Sequence, residues 1–390
     1  MALVVRAGPG APEIILSAPV PAPPRLAALD GLRGAAIALV LVHHFVVPLC
    51  SGVPGSPGAY VAAALRLTYT GVDLFFVLSG FLIGGILLDH RDSPALLRTF
   101  YLRRFARIVP LALLSVLAIL GAQAAGLYGA PEGGEPWSWS VYAFFLTNLW
   151  MAGTLDWGYR PLSALWSLGI EEQFYLAAPW LILLVSPRSI LRLLVAFVLL
   201  APVTRLMLVA LNPGWVFAAC MLPFGRMDCI GAGFVVAWLV RNPAARAWCG
   251  QHRVALLGGL AFAAAGLAVL TKLGASNASQ VMAAGGYTVV ALFYGLILLL
   301  TLVSPPALWT RLLGFAPLVQ LGRWSYFVYL FQGLAAGLTV GLVFQQRLAV
   351  IAPASWLQLT VGAAGLLLVA TLSGKYFEAP LIRWGQRHAY

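Results

Sequence analysis

Of 390 residues, 61% are hydrophobic and only 9% charged, and the formal net charge is +12. A soluble domain carries about 25% charged residues, so this composition excludes a soluble globule, a disordered chain and a disulfide scaffold. The apolar runs are continuous rather than alternating, which argues against a β-barrel. Runs of about 20 apolar residues are spanning helices, because lipid leaves backbone polar groups no partner but the helix itself. The fold class is therefore an all-α polytopic membrane protein, with the lipid bilayer as its first partner.

The basic excess is 22 Arg plus Lys272 and Lys375. Membrane proteins gather such residues in cytoplasmic loops, so the charge is assigned to topology and no nucleic-acid partner is expected. Cys50, Cys220, Cys229 and Cys249 lack CxxC spacing and read as free thiols in apolar surroundings; no metal site is expected. Residues 1–28 lack a basic segment followed by a compact apolar one, so no cleavable leader is read there, and the run Pro21 to Pro24 marks a disordered tail.

Apolar segments predict helices over 32–50, 70–88, 109–128, 162–185, 190–210, 216–240, 254–272, 281–303, 324–344 and 356–373. An eleventh, 139–151, has 13 residues, short of the roughly 17 needed to span. If it does not cross, ten passes put both termini on one side together with 18 of the 24 Lys and Arg. If it crosses, every later loop inverts and that bias is largely lost. The positive-inside rule favours about ten transmembrane helices, cytoplasmic termini, and a re-entrant or interfacial 139–151. The chain then divides into a tail over 1–28, a membrane domain over 29–384 and a cytoplasmic tail over 385–390.

Along the first helix Arg33 and His44 are eleven residues apart, which is three turns plus roughly 20° and about 16 Å of rise. They share a face, with Arg33 at the cytoplasmic boundary, His44 near mid-membrane, and His43 turned about 80° away. Ionisable groups at membrane depth are expensive and mark function; the ordinary alternative is a snorkelling arginine and an internally hydrogen-bonded histidine. Asp73, in Gly71 to Phe81, is either a helix-dipole partner or an intramembrane charge. Arg103, Arg104 and Arg107 stand at i, i+1 and i+4 just before a helix. They read either as topogenic charge beside anionic lipid or as an anion cradle of guanidinium forks. Trp166 to Tyr175 carries Glu171, Glu172 and Gln173 inside an apolar run. Glu171 and Tyr175 share a face, at a depth comparable to His44, and Glu172 projects about 100° away. Two adjacent buried carboxylates are costly, so one is expected to line a wet cavity. Arg226 and Asp228 are i,i+2, cannot face one another on a helix, and each needs a partner on another helix.

Taken in order, these segments resemble the membrane acyltransferase-3 family, bacterial integral membrane enzymes that O-acylate carbohydrates and related acceptors, over about residues 29–384. Arg33 followed ten intervening residues later by His44 is similar to its first motif. Gly71 to Phe81, with Asp73, Ser79 and Gly80, resembles the second, and Arg103 to Pro110 the third. Trp166, Ser167 and Leu168 with Glu171, Gln173 and Tyr175 resemble the fourth. Arg226 with Asp228, then Ser325, Tyr326 and Tyr329, and last Glu378, continue in family order. At Gln332 the family often has histidine; an amide does not shuttle protons, which removes that position from acid–base work.

The resemblance implies no bound cofactor, with acyl-CoA, of the acetyl-CoA kind, as co-substrate at the cytoplasmic face of a bacterial inner membrane. It implies a carbohydrate, glycolipid or glycosylated-metabolite acceptor whose hydroxyl arrives from the other side. On that reading Arg103, Arg104 and Arg107, with Tyr175, hold the donor, and Arg33 orients its polar parts at the cytoplasmic mouth. His44 is the general base that takes the hydroxyl proton, and Glu171 orients the imidazole as the acid of a triad does. The rival reading is a proton-coupled transporter with His44, Glu171 and Asp73 as a relay. No internal repeat of the kind many transporters carry is visible.

Overall fold

The computed structural model describes residues 24–50, 55–127, 136–303, 307–339 and 353–390. Most of 1–28, over which a tail and no cleavable leader are read, falls outside them. Among the described residues every regular element is a helix. Ten are long: α1 (Pro24–Leu41), α2 (Gly71–Asp89), α3 (Leu96–Ala124), α4 (Leu165–Leu184), α5 (Ile190–Leu211), α6 (Met227–Arg241), α7 (Arg253–Lys272), α8 (Tyr287–Val303), α9 (Ala316–Leu338) and α10 (Pro353–Ser373). Each coincides with one apolar segment of the sequence. Eight helical stretches among the described residues are long and apolar enough to cross a membrane. The two long helices outside that set are α4, diluted by Glu171, Glu172 and Gln173, and α9, diluted by Gln320, Arg323 and Gln332.

Helix α1 begins at Pro24, so residues 24–28 belong to the first helix rather than to a tail. Proline is at home there, because the first helical N–H has no partner to lose. Segment 139–151 folds as two short helices, Trp139–Ala143 and Thr147–Thr154, with Phe145 between them at φ 57°. Neither is long enough to span.

Lipid tails are as apolar as leucine, so helices in a membrane associate through close packing of small residues. Two seams follow that rule. Along α2 and α6, a Cβ on Gly80 would stand 1.9 Å from the Ile230 carbonyl oxygen, and one on Gly233 1.8 Å from that of Val77. Gly80, a motif position, is thus a packing residue. Along α1 and α9, a Cβ on Gly322 would stand 1.8 Å from the Asp30 carbonyl oxygen.

A short helix, α11 (Ala379–Gln386), packs against α3. The residues after it pack against the bundle. Thr99 donates to the Ala389 carbonyl at 2.7 Å, and the Tyr390 ring lies 4.0 Å from that of His90. The end of the chain therefore covers the ends of α2 and α3 that face the same side as the start of α1.

Candidate active site

Two cavities meet inside the bundle. The first, about 220 Å³, lies toward the side of the chain ends and is lined by Arg33, Arg104, Arg107, Glu171, Tyr175 and Ser79, with Ser325 and Tyr326 on α9. Three guanidinium groups face one lining carboxylate. Glu171, Ser79, Arg33, Tyr175 and Arg104 line the cavity together, and Ser79 shares a 2.6 Å hydrogen bond with the Tyr175 hydroxyl. Arg107 lines the cavity beside Arg33 and Arg104, and Glu378 accepts from Ser373 at 3.2 Å. Tyr326 donates to the Ile108 carbonyl at 2.7 Å, which ties α9 to α3 beside this cavity.

The second cavity, about 460 Å³, opens toward the opposite side and is lined by His43, His44, Tyr69, Arg160, Arg226 and Tyr287 among others. Val72 and Tyr329 line both cavities. The Tyr329 hydroxyl shares a 2.6 Å hydrogen bond with Ser167 and donates to the Ala164 carbonyl at 3.0 Å, so its ring is fixed across the divide.

A charged network stands behind the second cavity. Arg226, 2% exposed, pairs with fully buried Asp73 at 3.0 Å, and its guanidinium lies 3.7 Å from the Tyr287 ring. Asp228 pairs with Arg205 at 2.8 Å and accepts from Thr288 at 2.9 Å. Arg205 also donates to the Ala283 carbonyl at 3.0 Å and the Gly225 carbonyl at 2.5 Å. Cys229 donates to Asp73 at 3.3 Å. Arg226 and Asp228 do take separate partners on other helices, and Asp73 is an ion-pair partner, not merely a dipole partner. The cysteines are free thiols as read, three buried and Cys50 half-buried.

Four expectations change. Glu171 does not reach the His44 imidazole: the two residues line different cavities, and Glu171 faces Arg33 instead. Arg33 is not near the start of its helix, as a segment over 32–50 implies, but is its tenth residue, and it lines the first cavity together with Glu171. His43 does not leave the site. Val42–Val46 is a π turn, which spends one more residue per turn. It brings both histidines to one cavity, their rings 5.2 Å apart and His43 also 5.7 Å from Tyr69. Arg103 leaves the arginine group: its Nε and Nη2 donate to the His388 carbonyl at 3.0 and 2.6 Å, and it lies 4.5 Å from the Tyr390 ring. Arg103 and Arg104 are about 100° apart around the helix, so one cavity does not take both.

Gln173 is structural. It exchanges hydrogen bonds with Asn148 at 2.9 and 3.0 Å and donates to the Phe145 carbonyl at 3.1 Å, pinning the two short helices to α4. Gln332 is buried in α9, and its Oε1 has no hydrogen-bond partner among the described residues. The sequence reading missed Arg205 and Arg160. Arg205 carries the signal that exposed His44, an ionisable residue inside an apolar run; Arg160 opens a short 3-10 helix, Arg160–Leu162, ahead of the apolar run and carries no such signal.

An all-α polytopic membrane protein with two polar cavities that share Val72 and Tyr329 is the class that fold and site define. A model of the acyltransferase-3 family, described as an acyltransferase domain, matches residues 26–375. The chain belongs to this family. It is 26% identical over 379 residues to the peptidoglycan O-acetyltransferase OatA of Listeria monocytogenes serovar 1/2a, covering 92% of this chain and 56% of that protein. It is 26% identical over 383 residues to the O-acetyltransferase OatA of Staphylococcus aureus strain NCTC 8325, covering 93% of this chain and 58% of that protein. The chain thus spans little more than half the length of these curated relatives. No solved structure matches it.

Proposed function

We propose that this chain is a bacterial inner-membrane O-acyltransferase, with acyl-CoA, of the acetyl-CoA kind, as donor and a carbohydrate or glycolipid hydroxyl as acceptor. The observation that carries the reading is the pair of cavities meeting at Val72 and Tyr329, one lined by three arginines and the other holding His44. Arg33, Arg104 and Arg107 suit the polar, anionic end of a donor, since guanidinium forks bind phosphate oxygens in pairs. Names of the relatives, which are O-acetyltransferases, support an acetyl group and a saccharide acceptor.

In this mechanism the acceptor hydroxyl enters from the second cavity and attacks the thioester carbonyl carbon at the divide. His44 takes the hydroxyl proton as the C–O bond forms. The C–S bond breaks, and the CoA thiolate leaves on the donor side and takes up a proton there. Glu171, with Ser79, Tyr175 and Arg33, holds the donor end rather than the imidazole. The transporter reading gains nothing here: His44 and Glu171 line different cavities, and Asp73 is committed to Arg226.

The test is acetyl transfer from labelled acetyl-CoA to a saccharide by the purified protein in nanodiscs. Transfer that disappears with His44→Ala is the expected result. Absence of both transfer and CoA release in the unaltered protein would overturn the proposal.

A further inference from the structure

The second cavity is furnished beyond what a general base requires. Its volume, about 460 Å³, falls within the range of small-molecule sites, about 300–1,000 Å³. Trp157, Trp166 and Tyr287 supply aromatic surface of the kind that covers the C–H faces of a sugar ring. Four polar atoms on lining residues have no hydrogen-bond partner among the described residues: His43 Nδ1, the Tyr69 hydroxyl, and Nε and Nη1 of Arg226. A buried polar atom without a partner is costly, so these atoms mark a place where a polyhydroxylated ligand completes the network.

Charge narrows the class. No Asp or Glu lines this cavity. Arg226 is balanced by Asp73. Arg160 is not balanced: among the described residues no carboxylate lies within ion-pair distance of it, and its guanidinium rests 5.9 Å from the Trp157 ring. It lines the same cavity as His44. One unbalanced planar guanidinium matches one carboxylate in a two-pronged hydrogen bond; a phosphate with nearly two charges would call for more.

We propose that the second cavity is a subsite for a carboxylate-bearing saccharide, with Arg160 gripping the carboxylate and aromatic side chains covering the ring. This rests on the reading that the acceptor enters from that side, and it adds the acceptor's charge.

The test reads binding without any donor, by saturation-transfer NMR on the purified protein in nanodiscs, with methyl glucuronide and methyl glucoside as probes. The glucuronide should bind about tenfold or more tightly, the worth of a charge-assisted hydrogen bond. Arg160→Gln should bring the glucuronide down to the level of the glucoside and leave glucoside binding unchanged, which also reports an intact fold. Arg160→Lys should keep part of the preference. Equal affinities in the unaltered protein, a preference that survives Arg160→Gln, or no binding of either sugar would each overturn the proposal. A protein that transfers no acetyl group but keeps the preference counts against the acyltransferase reading alone.

Discussion

His44 and His43 share a cavity and differ in what surrounds them. His44 is open to the cavity, whereas His43 is half-buried with its ring edge toward Tyr69. Removing a general base slows a reaction by about 100- to 10,000-fold, so His44→Ala should lose transfer to that extent at normal protein level in the membrane. His43→Ala should fall less than tenfold, read as a rise in acceptor KM with kcat largely kept. Equal losses would mean that the two rings act as one unit. The arginines separate in the same way. Arg104→Lys and Arg107→Lys should each raise the apparent KM for acetyl-CoA about tenfold, because lysine keeps the charge but loses the fork. Arg103→Lys should leave that KM unchanged, since Arg103 is held by the His388 carbonyl and the Tyr390 ring. A titration of acetyl-CoA on the three purified variants decides it.

Helices α5, α6 and α8 are joined by charge as well as by packing. Breaking a buried ion pair leaves one charge without compensation, at about 3–5 kcal/mol. Arg205→Leu alone should therefore lower the thermal midpoint in detergent sharply, with the Asp228 carboxylate left without its counter-charge. The double variant Arg205→Leu with Asp228→Leu should recover much of that loss. If the double variant is no better than the single, the pair is not the main contribution. At this scale the sequence was a good guide to which elements exist, because ten apolar runs over a polar background leave little choice in lipid. It was a poor guide to register. The first apolar segment is read from residue 32, but the helix starts at Pro24 with Arg25 and Asp30 inside it, so Arg33 is its tenth residue and not its second. A uniform 100° per residue also misplaced His43, since nothing in Val42 to Val46 announces a π turn. Arg33, Glu171 and His44 were visible as ionisable groups in apolar surroundings; which of them face each other depends on depth and helix rotation, which composition does not record.

For the molecule as a whole, the arrangement of charge leads to a topology that can be read by labelling. Ser276→Cys should react with membrane-impermeant thiol reagents in intact cells, and Ala247→Cys and Arg387→Cys should be shielded. Labelling at 247 instead would mean that 139–151 crosses and the downstream half is inverted. Two sites that open in opposite directions and share Tyr329 also have a consequence for insulation. A bundle that spans a membrane stands across ion gradients, and Tyr329 and Val72 are the residues that line both cavities. Chemistry between the two compartments needs a partition thin enough for a bond to form across it, and an energised membrane needs that partition never to open. A tyrosine pinned by Ser167 and the Ala164 carbonyl meets both demands, and Tyr329→Ala should meet neither. Liposomes bearing that variant and an imposed pH difference should discharge it faster than liposomes bearing the unaltered protein, with no substrate present.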